Sequence, residues 1–344
     1  LVEDSIRWRA FHAEKKDLPA YLRKKDSIYW HTHLPGQSTY YVQVNLMREG
    51  NNQSFKDLSS EVIQAVERHR PTKLILDMRW NIGGNSKLAY PLLYTLMYYE
   101  RAVPGGQVFV ITGRETLSAA IVVSDEIKKF TNAIFIGEPT GAAPNLYGEN
   151  SYPLVLPNSG LSISYASAYF QAAGPFSHDR WIAPQISVKM RSQDFFGLQD
   201  PVLNTIRDYQ PATSVWNSMY EAANRRDTVA LVEIYHAYKS DPANEYIDTE
   251  ADMRRLANRL ATSDRANEAE ILYLLNIAAY PRRATPHISL AQIYQQQDRM
   301  EPAGWHYRSA KKLLLLDNTI NAYFKHNLTD LVDRELLKFG PMKK

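Results

Sequence analysis

The chain has 344 residues, 44% of them hydrophobic and 22% charged, and its 40 Lys and Arg against 37 Asp and Glu leave a formal charge of +3. That composition excludes a wholly disordered chain, and the near balance of charge argues against a nucleic-acid-binding surface. Cysteine is absent, which excludes disulfides, thiolate metal sites, iron–sulfur clusters and cysteine nucleophiles.

In chain order, Leu1–Lys25 reads as a charged helical segment with Trp8 and Phe11 as anchors. Residue 1 is Leu, with no signal-like apolar segment after it, so the chain is expected to be part of a longer one. No apolar run anywhere approaches the roughly 18 residues that a membrane-spanning helix needs. β-rich runs follow at Tyr40–Leu46, Lys73–Met78, Gln107–Thr112 and Ala133–Gly137, separated by helical patterns at Phe55–Arg68, Ser86–Tyr99 and Leu117–Phe130. Strands alternating with helices require crossover connections, which predicts a largely parallel α/β sheet. Leu154–Leu156 and Leu161–Tyr165 flank the turn sequence Pro157-Asn158-Ser159-Gly160 and predict a hairpin.

From Pro211 onward the strand patterns stop and a period appears. Leu256, Ala257, Ala269 and Tyr273 recur 34 residues later as Leu290, Ala291, Ala303 and Tyr307. Small and aromatic residues at these offsets form the tetratricopeptide pattern of paired helices, with a generic helical bundle as the alternative. A weaker copy lies upstream at Ala230, Ile234, Ala237 and Pro242. The expected division is a helical segment over 1–28, a sheet domain over 29–210 and a tetratricopeptide-like domain over 211–344.

Three strand ends carry residues with chemical potential. The run Leu74–Asn85 takes a buried strand through Asp77-Met78-Arg79 to the Gly83-Gly84 pair, where a backbone free of Cβ atoms can turn its amides outward. Val108–Ala120 takes a second strand through a polar turn to Ser118, at the start of a helix. A serine there presents its hydroxyl at the sheet's carboxyl edge or caps the helix by accepting from backbone amides. Ile134–Glu149 takes a third strand into a Gly/Pro-rich loop with polar side chains. No phosphate loop, dinucleotide fingerprint or metal-ligand cluster is present, and no cofactor or metal is expected.

Taken together, the Asp77–Gly84 turn, Thr116-Leu117-Ser118-Ala119-Ala120, Gly137-Glu138-Pro139-Thr140-Gly141, Ala183–Val188 and Gly197–Leu203 resemble the C-terminal processing (tail-specific) serine peptidases. The nearest likeness is to a bacterial branch with a tetratricopeptide tail. The resemblance implies a crotonase- or ClpP-like αβ spiral, with Ser118 as acyl-forming nucleophile and the amides of Ala119 and of Gly83 or Gly84 as oxyanion hole. It places Gln43, Asn45, Asn145 and Tyr147 around the site, and it implies a peptide or protein substrate and an extracytoplasmic location. The helical repeats would offer a surface to a protein partner.

The sequence departs from the family at the base. Serine attacks only with a proton acceptor within reach, and many relatives place a lysine about 25 residues beyond the nucleophile. Position 143 is Ala. His31, His33 or His178 as an alternative base, a non-catalytic groove that binds peptides, and a substitution introduced into the chain each account for Ala143. Lys128 is expected to point elsewhere. Relatives also commonly carry a PDZ module, for which 1–29 is too short.

Overall fold

A computed structural model describes residues 18–339 apart from 35, 37, 52, 150–152, 175, 176, 178, 212 and 213. Most of the expected N-terminal helical segment, with Trp8 and Phe11, lies outside the described residues, and so does His178. Within the described part of that segment Ala20–Arg23 forms a single helical turn, α1. The chain divides after Gln210 into two compact units.

The first unit continues with β1 (Tyr29–Leu34), β2 (Thr39–Val44), α2 (Phe55–His69), β3 (Lys73–Asp77), α3 (Tyr90–Ala102), β4 (Gln107–Thr112), α4 (Ala119–Phe130) and β5 (Ile134–Gly137). Short strands follow: β6 (Asn145–Gly148), β7 (Leu154–Val155), β8 (Ser162–Ile163), β9 (Ala168–Gln171) and β10 (Ile186–Ser187). Helices α5 (Ser192–Phe196) and α6 (Pro201–Asp208) close the unit. The main sheet has the order β1-β2-β3-β4-β5-β10, with β1 antiparallel to β2 and every other pair parallel.

Strands β2 to β5 are consecutive neighbours, so crossovers of one hand set α2, α3 and α4 on the same face. Leu74, Leu76, Val108 and Val110 meet Leu58 and Val62 of α2, Leu92 and Leu96 of α3 and Ile121 of α4 there. Their strand neighbours Ile75, Phe109 and Ile111 point the other way, against Val202 and Ile206 of α6 together with Trp30, Leu34 and Tyr41. Both faces are covered, which is why these strands read as unbroken apolar runs.

Local chemistry sets the element ends. Ser54 and Asp57 form a capping box at the start of α2. The helix expected from Ser86 opens instead as a 3₁₀ turn, Ser86–Ala89, and α3 begins at Tyr90 with Pro91 in its first turn, where no N–H is needed. The helix expected from Leu117 begins at Ala119, because Ser118 holds a φ of 52°. β7 and β8 form a hairpin about Pro157–Gly160. The strand β1 has no counterpart in the sequence reading: Trp30-His31-Thr32-His33 carries little apolar pattern, and its place comes from pairing with β2.

The second unit consists of α7 (Val215–Asn224), α8 (Thr228–Ser240), α9 (Glu250–Ala261), α10 (Ala266–Ala279), α11 (Thr285–Gln296), α12 (Met300–Leu316) and α13 (Ala322–Leu336), with no strand among the described residues. All eight residues of the 34-residue pattern are buried, none more than 8% exposed. Ala257, Ala269, Ala291 and Ala303 sit in the core, where a side chain of a single methyl group allows helices to approach closely. The weaker upstream copy is offset: Ala237 is exposed, and Leu231 and Tyr235 supply the buried residues of α8.

Candidate active site

The carboxyl ends of β3 and β4 lead into adjoining turns held by buried polar side chains. Asn81 is fully buried; its Nδ2 donates to the Val44 carbonyl at 2.9 Å, and its Oδ1 accepts the Gly83 amide at 3.0 Å. Its own carbonyl accepts the Leu117 amide at 2.9 Å, so a single side chain and its backbone lock both turns together. Thr116, also buried, accepts from the Gly113 amide and donates to the Met78 carbonyl, each at 2.9 Å. The loop after β5 is fastened to the same turn through the Gly141 amide, 3.1 Å from the Thr116 carbonyl.

The glycine pair is required by contact as well as conformation. Gly83 and Gly84 have φ of 108° and 130°. A Cβ on Gly83 would lie 2.6 Å from the Ser118 Cβ, and one on Gly84 would lie 2.2 Å from the Met47 carbonyl oxygen. Met47 bonds along this edge, its amide to the Gly83 carbonyl at 2.7 Å and its carbonyl to the Asn85 amide at 2.8 Å.

Ser118 precedes α4 with φ 52° and ψ −123°, the conformation of the first central residue in a type II′ turn, where glycine is the usual occupant. Such backbone costs on the order of 1–3 kcal/mol. The hydroxyl makes no capping bond, and the residue is exposed. The helix-cap role for this serine is thereby removed. The amides of Gly84 and Ala119 have no acceptor among the described residues, whereas that of Gly83 is taken by Asn81. Of the two glycine amides expected at the site, only that of Gly84 is left without an acceptor among the described residues.

Ser118, Ala119 and Gly84 border a cavity of about 640 Å³. Asn85, Ser86 and Lys87 form one side, Val122 contributes from α4, and Leu146, Glu149 and Phe170 face them. Leu146 and Phe170 are cross-strand partners in the β6–β9 pair and so share a face. Tyr147 and Tyr169 pair on the other face, their rings 4.9 Å apart. Tyr147 is therefore turned out of the cavity by strand alternation. Asn145 binds the Gly174 carbonyl and the Ala173 amide and does not border the cavity either.

Gln43 and Asn45 are corrected in the same way. Gln43 is fully buried, accepting from the Trp30 indole at 2.7 Å and donating to the Tyr21 carbonyl at 3.1 Å and to Asn45 Oδ1 at 2.9 Å. Asn45 Nδ2 gathers the carbonyls of Lys24, Lys25 and Ser27. Both are pins for the chain before β1, and neither borders the cavity. His31 is engaged by the Tyr40 hydroxyl and Glu61, and His33 lies against His69 with ring centres 5.2 Å apart. Lys128 is exposed near the far end of α4, about 15 Å along the helix axis from Ser118. Ala143 is half-buried beyond the anchored Gly141.

Lys87 was not singled out by sequence reasoning. It is exposed and makes no ion pair among the described residues. Its signal was position, three residues after Gly84 on the same turn. The Asp-x-Arg of β3 is structural. Arg79 is buried, bonded through Nε to Asp77 and through both terminal nitrogens to Asp200, at 3.3 and 3.1 Å. The two carboxylates hold the guanidinium pKa above its usual value against the opposing effect of burial, the largest influence on it. Asp200 also accepts from the Val202 and Leu203 amides, tying the end of β3 to α6.

These elements define a mixed α/β protein with an exposed, strained serine at a strand-to-helix turn. Among solved structures the chain is similar to C-terminal processing and S41 proteases. A Bacteroides fragilis protein assigned to the S41 proteases shares 15% identity at a TM-score of 0.36, covering 52% of this chain and 55% of that one. The photosystem II D1 C-terminal processing protease shares 16% at 0.34, covering 47% and 48%. A Parabacteroides merdae protein assigned as a peptidase shares 15% at 0.36, covering 60% and 76%. The match thus spans about half the length of the first two proteins. No protein-family model matches the chain, and no curated protein does. At these scores the likeness carries no weight for activity, which has to be judged from the site itself.

Proposed function

We propose that the first unit is a serine-type peptidase forming an acyl-enzyme on Ser118. The observation that carries this reading is the Ser118 hydroxyl: exposed, uncapped, on strained backbone, beside the unpartnered amides of Gly84 and Ala119. A serine whose only role was to cap α4 would bond the helix amides and would need no such backbone. In the proposed reaction Lys87, as a neutral amine, takes the Oγ proton while Oγ bonds to the substrate carbonyl carbon. The C=O electron pair moves onto oxygen, which the Gly84 and Ala119 amides stabilise. Collapse breaks the C–N bond, and the Lys87 ammonium returns the proton to the leaving amine. Water then repeats the sequence and frees Ser118. Lys87 takes the place that Ala143 leaves empty of a base because it is the amine that shares the cavity with Ser118.

The apolar wall of Leu146 and Phe170 opposite the serine suits an extended peptide. In this reading the sheet unit is a crotonase-like spiral, and the second unit is a tetratricopeptide-like array that offers a partner surface. Ala143 favours a second reading, a peptide-binding groove without catalysis.

Labelling with a fluorophosphonate decides between them. Stoichiometric labelling that disappears in Ser118→Ala is the expected result. Lys87→Met is expected to lower the labelling rate by about 10²- to 10⁴-fold. No labelling of the folded wild-type chain would leave the binding groove as the function. Labelling that ignores Lys87→Met but appears more strongly in Ala143→Lys would retain Ser118 and remove Lys87.

A further inference from the structure

A second cavity lies at the carboxyl edge of the sheet, and none of the residues around it borders the Ser118 cavity. It measures about 250 Å³. Thr112–Glu115, on the segment that leads to Ser118, form one wall. Carboxyl strand ends are where open parallel sheets place ligands. An apolar cavity of about 150 Å³ already accepts benzene, so this one has room for an aromatic ring and a small polar group.

The lining states what kind of molecule fits. Ile111, Val188, Met190, Phe195 and Val202 are apolar, and Trp80 adds an aromatic face. Tyr21 also contributes; it is fully buried, lies in stacked orientation 6.2 Å from Trp80, and carries the Arg79 guanidinium 4.7 Å above its ring. Among the described residues the Tyr21 hydroxyl is buried without a hydrogen-bond partner. A buried orphan hydroxyl is destabilising in the free protein and calls for an explanation. Burial, followed by Asp200, pushes its pKa up to about 12, so at neutral pH it is a hydrogen-bond donor. Arg79, Arg114, Glu115 and Glu138 also line the cavity, and with Asp77 and Asp200 behind Arg79 these side chains carry two positive against four negative charges, which disfavours a carboxylate ligand.

We infer that this cavity binds a neutral aromatic amide, the ring lying against Trp80 and the apolar wall and the amide oxygen accepting from the Tyr21 hydroxyl. The chemistry is that of an aromatic residue within a peptide chain. Nothing in it depends on Ser118 or on the peptidase reading.

The test is calorimetric titration of the full chain with N-acetylphenylalaninamide, alongside N-acetylphenylalanine, which differs by its carboxylate. Saturable binding at one site is expected, with the acid at least tenfold weaker. Tyr21→Phe separates a ligand role from a structural one: it is expected to raise the melting temperature of the free protein, by removing the orphan hydroxyl, and to weaken the amide about fivefold or more. Met190→Trp fills the space and is expected to abolish binding, while fluorophosphonate labelling of Ser118 is unchanged. Absence of saturable amide binding, equal affinity for acid and amide, or full affinity in a folded Tyr21→Phe protein would overturn the inference. Binding without labelling leaves it standing and removes the peptidase reading; labelling without binding does the reverse.

Discussion

Ser118 and Gly83 are in contact, and the contact explains why the second of them has no side chain. Gly83→Ala inserts a Cβ 2.6 Å from that of Ser118, on backbone with a φ of 108°. The variant is expected to lose about 1–3 kcal/mol of stability in a denaturant titration. A displacement of the serine by about 1 Å is enough to cost roughly 10²-fold in rate, so its fluorophosphonate labelling should fall by at least that factor. The two glycines are adjacent in sequence yet differ in what they supply. Gly83 commits its amide to Asn81 and provides room, and Gly84 keeps its amide free and faces the cavity. Nothing in the dipeptide distinguishes them, because the partner that engages one of them is a side chain whose direction depends on the Val44 carbonyl across the sheet.

The elements around the site are joined by the Asp77–Arg79–Asp200 group, which binds the end of β3 to the first turn of α6. Removing the cation leaves two buried carboxylates close together, so Arg79→Met is expected to destabilise the chain by about 3–5 kcal/mol. Asp200→Asn keeps the shape, leaves Arg79 paired with Asp77, and should cost less; comparison of the two denaturation midpoints checks the assignment. Asp77 and Arg79 could be noticed in the sequence as polar residues at the end of an apolar strand. That Asp200 completes them could not, since 121 residues separate Arg79 from Asp200. The β6–β9 pair makes the same point within a few residues. The resemblance places Asn145 and Tyr147 around the site, whereas Leu146 between them is the residue that borders the cavity. A strand turns alternate residues to opposite faces, and which face looks inward depends on what the strand packs against.

At the scale of the whole molecule, stability against acid is expected to depend on a histidine pair in the helical unit. His287 and His306 are buried with their Nδ1 atoms 2.9 Å apart, and Trp305 and Tyr294 pack around them. Burial, then the neighbouring His287, lowers the His306 pKa to about 4, with Glu270 acting in the opposite direction; burial lowers His287 as well. The unfolded chain takes up these protons near pH 6.5, before the folded one does. The resulting stability is fully present above about pH 6.5 and is lost as pH falls toward 4, by up to about 3 kcal/mol for His306. Denaturant titrations of the wild type and His306→Gln between pH 7 and 4 should converge as this contribution disappears.

The central strands β2 to β5, the helices between them and the buried residues of the 34-residue pattern followed from the sequence alone, because each depends on a local period, whereas β1 and the β6–β9 pair did not. Alternate and continuous apolar runs specified the central strands, and the 34-residue spacing specified which residues of the helical unit are buried. Ser118 and the glycine pair were legible for a related reason: strand-to-helix turns need unusual backbone, and few residues accept it. The tertiary structure decided which polar groups remain available. Gln43, Asn45 and the Gly83 amide are consumed by partners distant in sequence or fixed by distant contacts, whereas the Ser118 hydroxyl, the Gly84 and Ala119 amides and Lys87 are left at the cavity. A hydrogen-bonding group is available for chemistry only if folding has not already satisfied it, and that depends on contacts no local pattern contains.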